Sequence, residues 1–348
     1  MKVGAFPGKL LPPHRGHLSG ILRAHAECDL LYVVISDNPS LDNDLCIDAG
    51  IPYISGAMRK MWLMKELQGI DGIKVIVIDE SRIPAFPEGW AQYADLVRKA
   101  IPDLGIIFGG EESYEEGHAK NFPGIEYRLI DPTRSLWPIS GTQTRFSPMK
   151  NWDYIVGSAR PFFAKKVLIT GTESCGKSTL TKKLAKIFYT SWSEELGRYY
   201  AERYLGGDES AFTHEDFERI AYLQYEQDQE ALSHANRICF FDTDAVVTDF
   251  YRQIYLPNAP FKHDCKVKDF FAPERYDLVL FLTPEVKWVD DGTRFLGDQK
   301  TREGLAHKLY NMYLDAGFKE EQIIQVEGGD YSGRLTRAIE ESQRLLKE

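Results

Sequence analysis

The eight residues from Gly171 to Ser178, GTESCGKS, satisfy the pattern G-x-x-x-x-G-K-[ST] at every specified position. The chemistry such a loop supports is phosphate binding. Gly171 and Gly176 let the backbone curl, amide N–H groups at the start of a helix point inward, Lys177 reaches the β- and γ-phosphates, and the Ser178 hydroxyl is a ligand for Mg²⁺. Cys175, inside the loop, reads as a small filler residue rather than a catalytic thiol. Phosphoryl transfer to an alcohol also needs a carboxylate to take the proton and another on the metal. The run Ile238 to Phe241 leads into Asp242-Thr243-Asp244, which makes Asp242 the candidate for magnesium or base and Asp244 a candidate acceptor contact. Glu194, Glu195 and Arg198 follow the strand-like Thr190-Ser191-Trp192 and are candidates for holding an acceptor sugar, with helix capping or a solvated charge as the competing role of each acid. Further on, DDGTRFLGDQKTR joins Asp290 and Asp291 to Arg294 and Arg302 in a polar stretch that suits a lid, and a plain surface loop fits its composition nearly as well.

A second chemistry lies near the start. In GAFPGKLLPPHRGHL, His14 and His17 are separated by Arg15 and Gly16 where a helical pattern begins. Two imidazoles at a helix N-terminus suit an anion, because the helix end is positive, its N–H groups are free, and both rings donate hydrogen bonds. Zinc is the rival ligand, but no Cys, Asp or Glu stands nearby to complete a set. Farther along, ISGTQTR places Ser140, Thr142 and Arg145 before Pro148 as a second phosphate-binding candidate. Ser and Thr also cap helices for structural reasons alone, so its weight comes from the company of His14 and His17.

These groups need rigid elements to position them. Val- and Ile-rich runs at Lys2–Phe6, Leu30–Ser36, Ile73–Asp79, Leu104–Gly109 and Glu126–Asp131 read as buried parallel strands, with helical patterns such as Gly56–Leu67 and Trp90–Ala100 between them. Strand and helix in alternation predict a doubly wound α/β sheet. The pattern restarts at Lys165 with KKVLITG, a helix from Gly176, and strand-like runs at Ile238–Phe241, Leu278–Leu282 and Ile323–Val326, which predicts a second α/β domain of the same kind. The stretch NWDYIVGSARPFFAKK between them breaks regular structure at Gly-Ser and Arg160-Pro161, while its aromatics predict packing against a domain; the boundary is placed near Phe163, giving domains 1–163 and 164–348.

At 348 residues the chain suits two cores rather than one. A net charge of −10 argues against a broad electrostatic grip on nucleic acid or an anionic membrane, although local basic clusters remain able to hold phosphate. No apolar run approaches the roughly 20 residues that span a bilayer, and no secretory pattern precedes the first strand. The five cysteines lie far apart without a C-x-x-C pair, so reduced thiols in the cytoplasm are the simple expectation.

His14, Gly16 and His17 resemble the HxGH motif of the nucleotidyltransferase superfamily, and Ser140, Thr142 and Arg145 resemble its SxTxxR element. With a P-loop domain following directly, essentially the whole chain resembles the bifunctional nicotinamide mononucleotide adenylyltransferase and ribosylnicotinamide kinase family, NadR-like. The resemblance implies that His14 and His17 contact ATP phosphates, that Thr142 and Arg145 hold the leaving pyrophosphate, and that Gly4 and Phe6 of the first strand join Ser140 as nucleotide contacts. It implies a second ATP on Gly171, Thr172, Glu173, Ser174, Cys175, Gly176, Lys177, Ser178 and Thr179, with Arg294 and Arg302 as lid contacts. Arg59 and Trp62 in GAMRKMWL resemble a helix bordering the dinucleotide site, and Glu195, Arg198, Asp244 and Asp291 fall to the kinase substrate. Leu10 stands where the family usually has Phe, and Gly109-Gly110-Glu111 where Ser-Ser-Glu is common.

The implied reactions use ATP and Mg²⁺: phosphorylation of ribosylnicotinamide to nicotinamide mononucleotide, then adenylylation of the mononucleotide to NAD. A phosphopantetheine adenylyltransferase joined to dephospho-coenzyme A kinase shares the same domain pairing, and a regulatory sensor that binds NAD and ATP with little turnover is an alternative of another class. The catalytic strand begins at Lys2, so a DNA-binding helix-turn-helix domain is not expected. Homo-oligomerisation and the choice between amide and acid pyridine nucleotides stay open, as does the kinase base among Asp242, Asp244 and Glu195.

Overall fold

The computed structural model describes residues 1–257, 269–286, 299–328 and 330–347. Its contacts divide the chain into two units, Met1–Phe163 and Ala164–Glu348. Each unit contains one parallel five-stranded sheet among the described residues.

In the first unit the apolar runs form β1 (Val3–Gly8), β2 (Leu30–Asp37), β3 (Ile73–Asp79), β4 (Leu104–Gly109) and β5 (Glu126–Leu129), paired in parallel in the order β3-β2-β1-β4-β5. Helices cover both faces of such a sheet, so inner strands are apolar on both sides rather than alternating. Leu31, Val33, Val34 and Ile35 of β2 are accordingly all buried. The connecting helices are α1 (Arg15–His25), α2 (Pro39–Asp48), α3 (Gly56–Glu66), α4 (Trp90–Ala100), α5 (Glu115–Asn121) and α6 (Gly141–Phe146). Winding reverses between β1 and β4, and in open α/β sheets that switch point opens a crevice beyond the strand ends. The loops that leave β1 and β4 carry His14 and Glu111. The aromatic stretch after Asn151 packs within this unit: Trp152 and Phe163 are buried, Phe163 ending the short α7 (Arg160–Phe163), and Ser158 bonds the Trp62 carbonyl and the Glu66 carboxylate of α3.

The second unit contains β6 (Lys165–Gly171), β7 (Trp192–Ser193), β8 (Ile238–Asp242), β9 (Leu278–Leu282) and β10 (Ile323–Val326) in the order β10-β9-β6-β8-β7, all parallel. Its helices are α8 (Lys177–Ile187), α9 (Gly197–Tyr204), α10 (His214–Ser233), α11 (Ala245–Tyr255), α12 (Gln299–Asp315) and α13 (Tyr331–Lys347). β6 lies between β8 and β9, with Ile169 opposite Asp242 and Gly171 opposite Leu282. That register sets the end of β8 beside the turn that leaves β6. Val167, Ile169, Leu184, Phe240 and Leu280 form the dry core under it. Among the described residues no helix is long and apolar enough to cross a membrane.

Candidate active sites

In the first unit a cavity of about 520 Å³ opens at the switch point, lined by His14, Gly16 and His17 among others. His14 is the N-cap of α1 and His17 its third residue. Each backbone N–H donates to the other ring: His17 N–H to His14 Nδ1 and His14 N–H to His17 Nδ1, both at 3.3 Å. The rings stack with centroids 3.6 Å apart. With Nδ1 accepting in both, each neutral ring carries its proton on Nε2. Burial, with the charge of Arg134 added, pushes His14 down to about 4; burial, then His14 and Arg134, holds His17 well below its usual range. The pair therefore presents two uncharged N–H donors at neutral pH. A Cβ at Gly16 would lie 3.0 Å from the His14 ring, so any larger residue there would push the ring aside.

Several expected residues sit elsewhere. A side chain on Gly4 would meet Phe108 in the core, and Gly4 does not line the cavity, whereas Phe6 does. Arg59 is fully buried, with its guanidinium bound to Asp37, Asp42 and the carbonyls of Lys9, Ser36 and Ser55; it braces three elements and does not line this cavity. Trp62 is buried on the same helix with its ring edge-on to Phe162. Ser140 lines the cavity, but its hydroxyl is engaged in a reciprocal cap with Gln143 at the start of α6. Arg145 is also buried, donating to the Leu11 carbonyl at 2.7 Å and to the Thr142 hydroxyl at 3.4 Å. It ties α6 to the loop that carries His14, instead of reaching into the cavity.

Sequence reasoning missed two features of this site. One is an aromatic wall: Trp90, His118 and Tyr127 line the cavity, with His118 stacked on Tyr127 at 4.3 Å and its ring pushed down to about 4 by burial. The other is Arg134, in the loop after β5, paired with Glu111 from the loop after β4 at 2.8 Å. The Asp131-Pro132 pair after the predicted strand is a turn signal that could have marked a loop there, but nothing local shows which way it faces.

In the second unit a cavity of about 450 Å³ lies over the P-loop, lined by Glu173 to Thr179, Glu195, Arg198 and Asp242 among others. Gly171 has φ +143°, and a Cβ there would stand 2.5 Å from the Leu282 carbonyl oxygen, so only glycine lets the loop leave β6 here. Lys177, the first residue of α8, is buried and donates to the Thr172 carbonyl at 3.0 Å. Thr172 itself is buried and bonds Cys175 Sγ rather than lining the cavity. The Asp242 carboxyl is 2% exposed and pushed up to about 7 by burial and by Glu195, with Lys177 and a hydrogen bond from Ser178 opposing. Its Oδ1 is buried with no hydrogen-bond partner among the described residues. A hydroxyl and a carboxylate side by side are hard oxygen donors suited to a small divalent cation.

Asp244 does not join them. It caps α11, accepting from Val247 N–H at 3.2 Å and from the Tyr313 hydroxyl at 2.7 Å, away from the cavity, and burial pushes its carboxyl up to about 6. Arg302, expected in the lid, is buried in α12, where it bonds the Val286 carbonyl and Gln299. Asp290, Asp291 and Arg294 lie outside the described residues. The far half of the cavity, built from Phe212, Phe217, Ile220, Tyr251 and Tyr255, was not anticipated. These side chains add apolar and aromatic surface to the cavity that holds the phosphate loop.

One cavity thus offers two neutral N–H donors, and the other a phosphate loop facing the buried carboxyl of Asp242 and the half-buried Glu195. The sequence profile of a family described as an AAA domain matches residues 166–334. The "Trifunctional NAD biosynthesis/regulator protein NadR" of Salmonella typhimurium strain LT2 is 33% identical over 99% of this chain and 84% of the relative, and that of Escherichia coli K12 is 32% identical over the same shares. Among solved structures, a "NadR protein in complex with NR" is 26% identical with a TM-score of 0.83, and a "NadR protein in complex with NAD and AMP-PNP" is 27% identical with a TM-score of 0.81. Each covers 100% of this chain and 96% of the other. Whole-length identity and whole-length fold agree, and the chain belongs to the NadR family.

Proposed function

We propose that the chain is a bifunctional enzyme of NAD salvage. Residues 164–348 phosphorylate ribosylnicotinamide with ATP to nicotinamide mononucleotide, and residues 1–163 adenylylate the mononucleotide with a second ATP, giving NAD and pyrophosphate. The observation that carries this is one chain with two separate phosphate-suited cavities, each in its own α/β unit. The relatives named for NAD biosynthesis and the related structures with NR, NAD and AMP-PNP support the substrates. With ATP as donor in both steps, the reading is of a cytoplasmic enzyme.

In the kinase step the ribose 5′-oxygen attacks the γ-phosphorus, the bond from that phosphorus to the ADP oxygen breaks, and the hydroxyl proton passes to a carboxylate, Asp242 or Glu195. Lys177 turns from the Thr172 carbonyl to the β- and γ-phosphates, Arg198 and Glu195 hold the sugar, and the aromatic half takes the pyridine ring. The Ser178 hydroxyl and the unpartnered Asp242 oxygen fit a magnesium ion, which when bound neutralises phosphate charge. In the adenylyl step the phosphate of the mononucleotide attacks the α-phosphorus of ATP and pyrophosphate leaves. That nucleophile is already ionised at neutral pH, so His14 and His17 need only orient and stabilise charge through Nε2–H. Purified protein with Mg-ATP and ribosylnicotinamide should yield the mononucleotide and NAD by chromatography. Loss of both products in His17→Ala, with the fold intact, refutes the division of labour.

A further inference from the structure

The first cavity must hold a highly anionic triphosphate, yet its two histidines are neutral and Arg145 is directed at the Leu11 carbonyl. The cationic side chains that line it among the described residues are Lys9, Arg23 and Arg134. Lys9 is bound to the buried Asp42 at 2.6 Å. Arg23 lies near enough to Asp131 to lower its carboxyl below the ordinary range, after that residue's own turn hydrogen bonds. Arg134 differs in two ways. It lines the cavity together with His14 and His17, and its charge adds to the burial that keeps both rings neutral. Its partner, Glu111, is half-exposed as Arg134 itself is, and an ion pair of that kind is weak and readily exchanged. The loop that presents it is built: the Asp131 carboxylate accepts from Ser135 N–H at 2.9 Å and Leu136 N–H at 3.2 Å, and Arg134 N–H bonds the Asp131 carbonyl at 2.9 Å.

We propose that Arg134 is the guanidinium that meets the phosphates of ATP in the first cavity, beside the Nε2–H groups of His14 and His17, and that Glu111 holds it in place until a phosphate displaces the carboxylate. The proposal deepens the adenylyl-transfer reading and rests on it. Guanidinium and phosphate match as a two-pronged fork, so the exchange trades a half-solvated carboxylate for a stronger, doubly bonded anion. The planar fork also spans two phosphate oxygens while the imidazoles reach others.

Dinucleotide formation from nicotinamide mononucleotide and Mg-ATP is measured first in the unaltered full chain; its absence refutes adenylyl transfer itself. Given turnover, Arg134→Ala is expected to lower kcat/KM for ATP by about 100-fold or more, the scale of losing one charge-stabilising donor. Arg134→Lys recovers only part, because an ammonium cannot form the fork. Glu111→Gln is expected to lower the KM for ATP, since it removes the competing carboxylate. An undiminished rate in Arg134→Ala overturns the proposal, and so do equal losses in Arg134→Ala and Glu111→Gln, because a purely structural pair fails alike from either side. The calorimetric transition of the first unit (Met1–Phe163) reports folding; if Arg134→Ala shifts it, Arg134→Lys decides, full activity there counting against the fork.

Discussion

Arg59→Met tests whether the first unit depends on a buried charge cluster. The guanidinium has five N–H donors, and all are taken: Nε–H by the Ser55 carbonyl at 3.3 Å, Nη1 by Lys9 and Ser36 carbonyls at 2.6 and 3.2 Å, and Nη2 by Asp37 and by Asp42 at 2.7 Å. Arg59 and Asp42 are both 0% exposed. Removing one side of a buried pair costs about 3–5 kcal/mol, because the other charge stays in the interior without its partner. Two facts favour the lower figure: Lys9 still bridges Asp42, and Asp37 is 17% exposed and partly solvated. For a unit spanning Met1–Phe163 the unfolding entropy is about 0.34 kcal/mol/K, so a loss of about 3 kcal/mol lowers Tm by about 9 °C. Calorimetry of the full chain reads this as a downward shift of one transition. Adding Asp42→Leu to the variant should recover part of the loss, since both charges then leave together. An unchanged midpoint in Arg59→Met would refute the reasoning.

The second unit yields two further tests. Asp242→Asn should lower phosphorylation by about 100-fold or more and raise the Mg²⁺ needed for half-maximal rate, while chelation of Mg²⁺ abolishes turnover in the unaltered chain; a rate and metal requirement like the original would remove Asp242 from the site. Asp244→Asn keeps the N-cap acceptor and should leave the KM for ribosylnicotinamide unaltered, whereas Asp244→Ala should cost about 1–2 kcal/mol in urea unfolding. In the first unit, His14 is held at about 4 against 6.5 when unfolded. The unfolded chain binds the extra proton between those values, so this contribution is intact above about pH 6.5 and falls as pH drops toward 4. Urea midpoints across that range should fall less steeply in His14→Gln, and parallel curves would count against a neutral buried ring.

Much of this protein is legible without coordinates because its decisive patterns are local. Parallel strands covered on both faces must be nearly continuous apolar runs, and runs such as Leu30–Ser36 and Leu278–Leu282 announce themselves. The P-loop and the His14-Arg15-Gly16-His17 turn are contiguous, so their spacing carries their geometry; the mutual Nδ1 caps of the histidines follow from a three-residue separation at a helix start. Whether a charged side chain faces the cavity or the core is a different kind of fact. Asp242 and Asp244 look equivalent at a strand end, but the chain turns at Thr243, where φ is +68°, sending one carboxyl to the cavity and the other to Val247 and Tyr313. Arg59 is buried because Asp37 and Asp42 arrive from β2 and α2, and Arg134 lines the first cavity where a loop from another strand end brings Glu111. Desolvation and ion pairing depend on what the rest of the chain packs around a residue, so composition and spacing determined the two phosphate chemistries while tertiary packing decided which arginines and aspartates are available to them.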